Sequence, residues 1–187
     1  MSRQKTPQVQ TDSIARFIQD WQRERPDLDP WPLGILGRSS RIYAHFLRRA
    51  DGWLSPLGLT WETFSLIAAL RRSGKPWELN PTELQRQSLL TSGAMTNRID
   101  RVEALGFVAR RPDPADRRGV IVRLTSTGRT LANKAIAVHF RETAAMLATL
   151  NSRETAELDR LLAKLLADFE QAPPAPASSR PGNRKAS

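Results

Sequence analysis

The 187-residue chain carries 29 lysines and arginines against 19 aspartates and glutamates, a formal net charge of +10 and a pI near 11.2, a balance that favours a polyanionic partner, with a membrane surface as the competing explanation. It has no cysteine, which excludes disulfides, thiolate metal sites and cysteine-based redox sensing, and its two histidines, His45 and His139, are too far apart in sequence to suggest a metal site. No apolar run is long enough to span a bilayer, the opening MSRQKTPQVQTDS lacks a signal-peptide apolar segment, and 40% hydrophobic residues suffice for one main domain.

The expected organisation is a flexible N-terminus over residues 1–11, a single domain over 12–170 and a Pro/Ala/Ser-rich disordered tail over 171–187. Within the domain, N-terminal helices occupy 12–57. A short one begins at Asp12, with Ile14, Phe17, Ile18 and Trp21 as its apolar positions, and the proline-containing stretch from Arg25 to Pro32 breaks it. A longer helix is expected from about Leu33 to Leu54, then a stop at Gly58, a cap at Thr60, a helix over Trp61 to Arg72 and a bridging strand at Trp77 to Leu79.

The run Asn80 to Gly128 reads as helix, turn, helix, strand, basic tip and strand. Asn80, Pro81 and Glu83 form a capping box, and Thr91 caps a second helix with Met95, Ile99, Val102 and Leu105 as its apolar stripe and Gly106 as its stop. Phe107 to Arg111 and Val120 to Leu124 read as strands around a proline-stiffened tip bearing Arg117 and Arg118. From Thr125 to about Leu150, and from a cap at Ser152 to about Phe169, two helices carry a Leu-, Ala- and Met-rich stripe that includes Leu158, Leu161, Leu162, Leu165 and Leu166. The fold class is therefore mainly α with a small β-wing: a winged helix-turn-helix over 58–125, with N- and C-terminal helices (12–57 and 126–170) for dimerisation.

The chemistry follows from those placements. Opposite the apolar stripe of the second helix lie Ser92, Thr96, Asn97, Arg98 and Arg101, short hydrogen-bonding groups with two arginines, the set a major-groove reader needs. Arg117 and Arg118 at the tip suit backbone tracking or minor-groove insertion. An ordinary amphipathic helix and an ordinary charged hairpin are the plain alternatives, and each signal alone is weak. Together, in a +10 chain, they point to double-stranded DNA with two-fold symmetry read by a homodimer. No Gly-rich phosphate loop, nucleophile elbow or His/Glu metal set is present, so no enzyme and no cofactor is expected. A constitutive architectural DNA-binding protein is the alternative to a ligand-responsive regulator.

Asp116-Arg117-Arg118, followed by Val120-x-Val122-x-Leu124-Thr125-x-x-Gly128, resembles the multiple antibiotic resistance regulator (MarR) family over roughly Leu33 to Phe169. The resemblance implies a cytoplasmic homodimer on a palindromic promoter operator, usually a repressor released by a small, often aromatic, ligand. Trp21-Gln22-x-Glu24-Arg25-Pro26-Asp27-Leu28, Gly58-Leu59-Thr60-Trp61 and Ser92-Gly93-x-Met95-Thr96-Asn97-Arg98 are similar to the urate-responsive branch, whose ligand contacts map to Trp21 and Arg98. That branch has an aspartate where this chain has Ser65, so the implied effector is an aromatic or heteroaromatic acid, hydroxynicotinate-like or urate-like. A planar apolar wall with a cationic anchor is what such a ligand needs. Trp21, Trp53, Trp61 and Phe64 are candidates for the wall, and Arg38, His45 and Arg98 for the anchor, with Ser65 beside them. Helical tryptophans serve a core more often than a ligand, His45 is equally suited to packing, and Arg98 is open between phosphate, base and ligand contact.

Overall fold

The computed structural model describes residues 12–88, 91–114, 116 and 119–171. Asp12 starts the first helix, α1 (Ser13–Glu24), by accepting from the Ala15 amide at 2.8 Å. Its second oxygen accepts from Arg38 at 2.8 Å, fastening α1 to α2 (Leu36–Leu54). The longer helix begins later than Leu33 because Pro32 sits in a 3-10 turn, Trp31–Gly34, ahead of it. After Leu54 a second 3-10 turn ends at Gly58, whose φ of 70° lies in the left-handed region that glycine enters without strain. Thr60 and Thr63 then form a reciprocal capping box at the start of α3 (Trp61–Arg72).

The winged unit follows the expected order. β1 (Glu78–Leu79) leads to α4 (Pro81–Ser88), whose capping box is formed by Asn80 and Glu83: the Glu83 amide donates to Asn80 Oδ1 at 2.9 Å and the Asn80 amide to Glu83 Oε2 at 3.0 Å. Thr91 caps α5 (Ser92–Ala104) through the Ala94 amide, at 3.4 Å. At the far end the Phe107 amide reaches the Val102 carbonyl and Gly106, at φ 74°, reaches that of Glu103, the paired bonds of a Schellman stop. That geometry turns Leu105 out of the stripe: Met95, Ile99 and Val102 are buried, whereas Leu105 is 47% exposed.

β2 (Val108–Pro112) and β3 (Val120–Leu124) pair antiparallel, with Arg110 opposite Val122, and β1 completes a three-stranded sheet in the order β1-β3-β2. β2 starts and ends one residue later than expected because Phe107 is engaged in the helix stop. One core joins Leu54 of α2, Phe64, Ile67 and Leu70 of α3, Leu84 of α4, the buried face of α5, Val108 and Val122 of the sheet, and Ala132 and Ala135 of α6 (Ser126–Met146).

Thr125 ties the sheet to α6. Its hydroxyl donates to the Gly106 carbonyl at 2.8 Å and accepts from the Gly128 amide at 2.9 Å, while its own amide donates to Phe107. This brings the Phe107 backbone so close that a Cβ on Gly128 would lie 1.9 Å from the Phe107 oxygen.

The chain divides into two compact units, one ending at Phe140 and one beginning at Arg141. In the second, α6 ends at Met146 rather than near Leu150, because three-residue bonds such as Leu147 to Ala144 and Leu150 to Leu147 tighten the chain. The cap of α7 (Ser152–Gln171) is Asn151, not Ser152: Asn151 Oδ1 accepts from the Arg153 and Glu154 amides, both at 3.0 Å, and Glu154 reaches back to the Asn151 amide. No residue of α7 is buried, and Leu158, Leu161, Leu162 and Leu166 are all more than two-fifths exposed.

Gly128→Ala must push the Phe107 backbone and the start of α6 apart. The expected outcome is a loss of about 1–3 kcal/mol, the range for inserting a methyl where there is no room, read as a lower urea midpoint at unchanged slope. Unaltered stability would mean the contact yields freely.

Candidate DNA-reading helix and effector cleft

The rotation of α5 is fixed by its three buried anchors, which leaves Ser92, Thr96, Asn97 and Arg101 exposed on one side. Thr96 returns its hydroxyl proton to the Ser92 carbonyl at 3.2 Å, so its methyl and an oxygen lone pair are what it offers outward. Arg98 departs from this group. It is half-buried, and its Nη1 donates to Ser65 Oγ on α3 at 3.2 Å; Ser65 in turn donates to the Glu62 carbonyl at 3.0 Å. Arg117 and Arg118 lie outside the described residues; among those that are described, the Asp113 amide donates to the Gly119 carbonyl at 3.0 Å and the Gly119 amide to the Asp116 carbonyl at 2.8 Å.

The Arg98–Ser65 pair sits in a cleft of about 960 Å³ lined by α2 (Tyr43, Leu47), α3 (Trp61, Glu62, Phe64, Ser65, Ala68, Arg71), α4 (Gln87, Ser88), α5 (Arg98) and α6 (Asn133, Ile136, His139, Phe140). Of the residues proposed from sequence for an effector, the cleft brings together Trp61, Ser65 and Arg98, and Phe64 joins them. Trp21, Arg38 and His45 do not line it. Trp21 is 53% exposed on α1, Arg38 is held by Asp12 and by the Gly34 carbonyl at 3.0 Å, and the exposed His45 accepts from Arg48 at 2.8 Å. Trp53 does not line it either and packs edge-on to Phe46.

Sequence reasoning missed His139. Its ring stands 4.9 Å from that of Phe64, 5.8 Å from Trp61 and 6.0 Å from Phe46, and burial pushes its pKa below the ordinary imidazole value, so it is neutral at physiological pH. The signal available was a lone polar ring in the apolar run Ala135-Ile136-Ala137-Val138-His139-Phe140. Glu62, at the start of α3, is held ionised by its own amide and by Thr60, with the fields of Arg98 and Arg101 adding to the effect. Glu62 thus lines the cleft within the field of two arginines of α5.

Two ion-pair hubs, also missed, brace the wing. Glu103 of α5 accepts from the Arg110 amide at 2.8 Å and pairs with its guanidinium, which also reaches Asp100 at 2.5 Å. Burial opposes the Arg110 charge, but the two carboxylates outweigh it and raise its pKa. Glu78 of β1, 14% exposed, accepts from Arg111 at 2.5 Å and stands 4.0 Å from Arg123. Among the described residues there is no His/Cys/Asp/Glu group able to hold a metal, and no helix is long and apolar enough to cross a membrane.

A helix-turn-helix with an exposed polar face, followed by a two-stranded wing, defines a winged-helix DNA-binding protein. The MarR family model matches residues 57–119. The regulator PecS of Dickeya dadantii is 31% identical over 152 residues, covering 81% of this chain and 92% of PecS. The chain belongs to the MarR family of transcriptional regulators. A mutant of Escherichia coli MarR complexed with operator DNA superposes with a TM-score of 0.65 at 30% identity, covering 74% of this chain and 99% of that one. A MarR family protein of Mycobacterium tuberculosis in complex with p-aminosalicylic acid superposes with a TM-score of 0.55 at 34% identity, covering 70% and 97%.

Arg110→Met should lower stability by about 1–2 kcal/mol, since the Glu103 carboxylate loses its charged partner while the half-exposed Asp100 loses little. A double-mutant cycle with Glu103→Gln should show positive coupling between the two. Additive losses would reduce the hub to a surface contact.

Proposed function

We propose that this regulator is a homodimeric repressor of a palindromic operator and that it releases DNA when an aromatic or heteroaromatic acid enters the cleft. The observation that carries this reading is the Arg98–Ser65 bond: a cation of the recognition helix is held inside the cleft by a neutral hydroxyl, at 3.2 Å. An incoming carboxylate offers that guanidinium a charge-assisted, two-pronged partner instead. Drawing Arg98 toward the ligand then acts directly on the helix that reads DNA. The p-aminosalicylic acid complex of the M. tuberculosis relative supports an acid of this type, and the operator complex of E. coli MarR supports the DNA partner.

In this reading Ser92, Thr96, Asn97 and Arg101 face the major groove, Arg117 and Arg118 reach phosphate or the minor groove, and Trp61, Ser65 and Arg98 contact the effector. The dimer rests on the exposed leucines of α7 together with Phe17, Trp21, Ile35 and Leu36 near α1 and α2, an amount of apolar surface that favours burial against a second copy. The single domain over 12–170 and cytoplasmic location belong to the same proposal, as does likeness to the urate-responsive branch.

Arg101→Ala should weaken binding to a duplex selected from random DNA by about 1–3 kcal/mol and relax its sequence preference, whereas Arg117→Ala with Arg118→Ala should weaken all sequences alike and flatten the salt dependence. Near-equal affinity of the wild type for unrelated duplexes would instead favour an architectural DNA-binding protein. Light scattering should give twice the 21.0 kDa chain mass, and Leu161→Asp with Leu165→Asp should give monomers, because each places an unpaired ion in an apolar interface.

For the switch, Arg98→Ala should abolish release of DNA by salicylate-like acids in a titration of the preformed complex. Trp21→Ala tests whether α1 takes part: a response equal to wild type leaves α1 structural. Release by acids in Arg98→Ala at wild-type concentrations would overturn the proposed route.

A further inference from the structure

Resting on the effector reading above, we propose that the ligand of this cleft carries two anionic groups: an aromatic dicarboxylic acid, with one carboxylate on Arg98 and the other on Arg71 and Arg72 at the far end of α3. Three arginines line the cleft against one carboxylate, Glu62. Each of the three is held by a neutral oxygen of a neighbouring helix. Arg98 Nη1 donates to Ser65 Oγ at 3.2 Å, Arg72 Nη2 to Gln87 Oε1 on α4 at 2.8 Å, and Arg71 Nε to Asn133 Oδ1 on α6 at 2.7 Å. The Arg71 guanidinium also lies over the Trp77 ring, 5.6 Å from its centroid, a second neutral partner. Elsewhere Arg38, Arg110 and Arg111 are each paired with a carboxylate. Among the described residues, none forms an ion pair with the three arginines of the cleft.

These partners do not close the site to a ligand. A guanidinium has five N–H donors and each of the bonds uses one nitrogen, while Arg72 is exposed and Arg71 and Arg98 are half-buried, so a further acceptor can reach all three. A carboxylate is the stronger partner, because its bonds to a guanidinium are charge-assisted and two-pronged. Arg71 and Arg72 sit in the last turn of α3, where the helix dipole also favours a cation, but the dipole does not require side chains that cross to α4 and α6. From Ser65 to Arg72 is two turns of helix, a rise of about 10 Å, with the small Ala68 between them in the cleft lining. That interval suits a ring system with a carboxylate at each end. The second carboxylate also escapes Glu62, which lies in the first turn of α3, about 14 Å along the axis from the arginine pair. The cleft, at about 960 Å³, stands at the large end of small-molecule sites and has room beyond a single-ring monoacid.

The test compares acids of one ring skeleton and different charge on the full-length protein by calorimetry: benzoate with terephthalate, and naphthoate with a naphthalenedicarboxylate bearing its carboxylates at opposite ends. Wild type should bind the dicarboxylate of at least one pair about tenfold more tightly, the size of one charge-assisted contact. Arg71→Gln and Arg72→Gln each remove a charge while keeping a hydrogen-bonding side chain, and each should bring that ratio toward unity; Arg72→Lys, which keeps the charge, should retain part of it. Either glutamine variant decides the matter if the other fails to fold. Arg86→Gln removes the same charge from an exposed position of α4 outside the cleft and should leave the ratio at its wild-type value. Equal affinity for both members of each pair overturns the inference and leaves the effector reading in place. So does a ratio that both glutamine variants leave unchanged, or one that Arg86→Gln lowers equally, the mark of general attraction between a dianion and a +10 chain. If wild type binds none of these acids, the effector reading itself falls.

Discussion

The proposed contacts with DNA depend on the rotational phase of α5. Met95, Ile99 and Val102, spaced by four and three residues, are buried to 2% exposure or less, and at 100° per residue that spacing leaves the helix one orientation in its seat. Everything outward follows from it: Thr96, Asn97 and Arg101 face away from the core, while Arg98, one step before Ile99, falls at the border between core and surface. Any agent that rolls or lifts α5 alters all the outward groups together. Packed cores shift between discrete arrangements rather than deforming smoothly, so a small push at the border is amplified.

The braces around α5 determine what moves with it. Glu103 and Arg110 join its last turn to β2, the Gly106 stop joins it to Phe107, and Thr125 carries the connection to the first turn of α6, where Gly128 permits contact with the Phe107 backbone. α5, β2 and the start of α6 are therefore braced together, with Arg98 as the link from α5 to the cleft wall on α3. A ligand can bias that body only through a difference in its affinity for two of its positions.

Much of this was legible in the sequence where the determining chemistry is local. The Asn80–Glu83 box, the Thr60 and Thr91 caps, the period of the α5 anchors and the Gly106 stop each involve residues within a few positions of one another, and each forms as read. Errors at this level were competitions between neighbours: Asn151 outbids Ser152 as a cap because its longer side chain reaches two amides, and Leu105 leaves its stripe because the helix stop rotates it outward. The cleft was only half legible. Trp61 and Ser65 could be grouped by helical spacing, and Arg98 by resemblance, but the pairing of Arg98 with Ser65 spans 33 positions and the meeting of His139 with Trp61 spans α3 to α6. No local pattern encodes contacts of that kind. Glu78 was silent for the same reason, since its partners Arg111 and Arg123 arrive only when the sheet assembles.

The residue at position 65 sets the energetics of any switch built on Arg98. A carboxylate there would hold the guanidinium by a charge-assisted pair and would repel an anionic ligand approaching the same fork. Ser65 offers a single neutral acceptor at 3.2 Å, worth about 1 kcal/mol net where the site is partly open to water. On the proposed reading, exchanging that bond for a ligand carboxylate would be favourable for Arg98, so binding and displacement would run in the same direction. Glu62 opposes this in part, because its ionised carboxylate already lies in the field of Arg98 and Arg101. An acid entering the cleft must share those cations with Glu62, and what it gains from Arg98 is diminished by repulsion from its neighbour. The balance favours ligands that take additional binding energy from the aromatic wall, where Trp61 and Phe64 contribute stacking that Glu62 does not offset. On the proposed reading, charge alone, as in a small inorganic anion, would be a poor key to this cleft, whereas a ring with a carboxylate would meet both the Arg98 side and the aromatic wall.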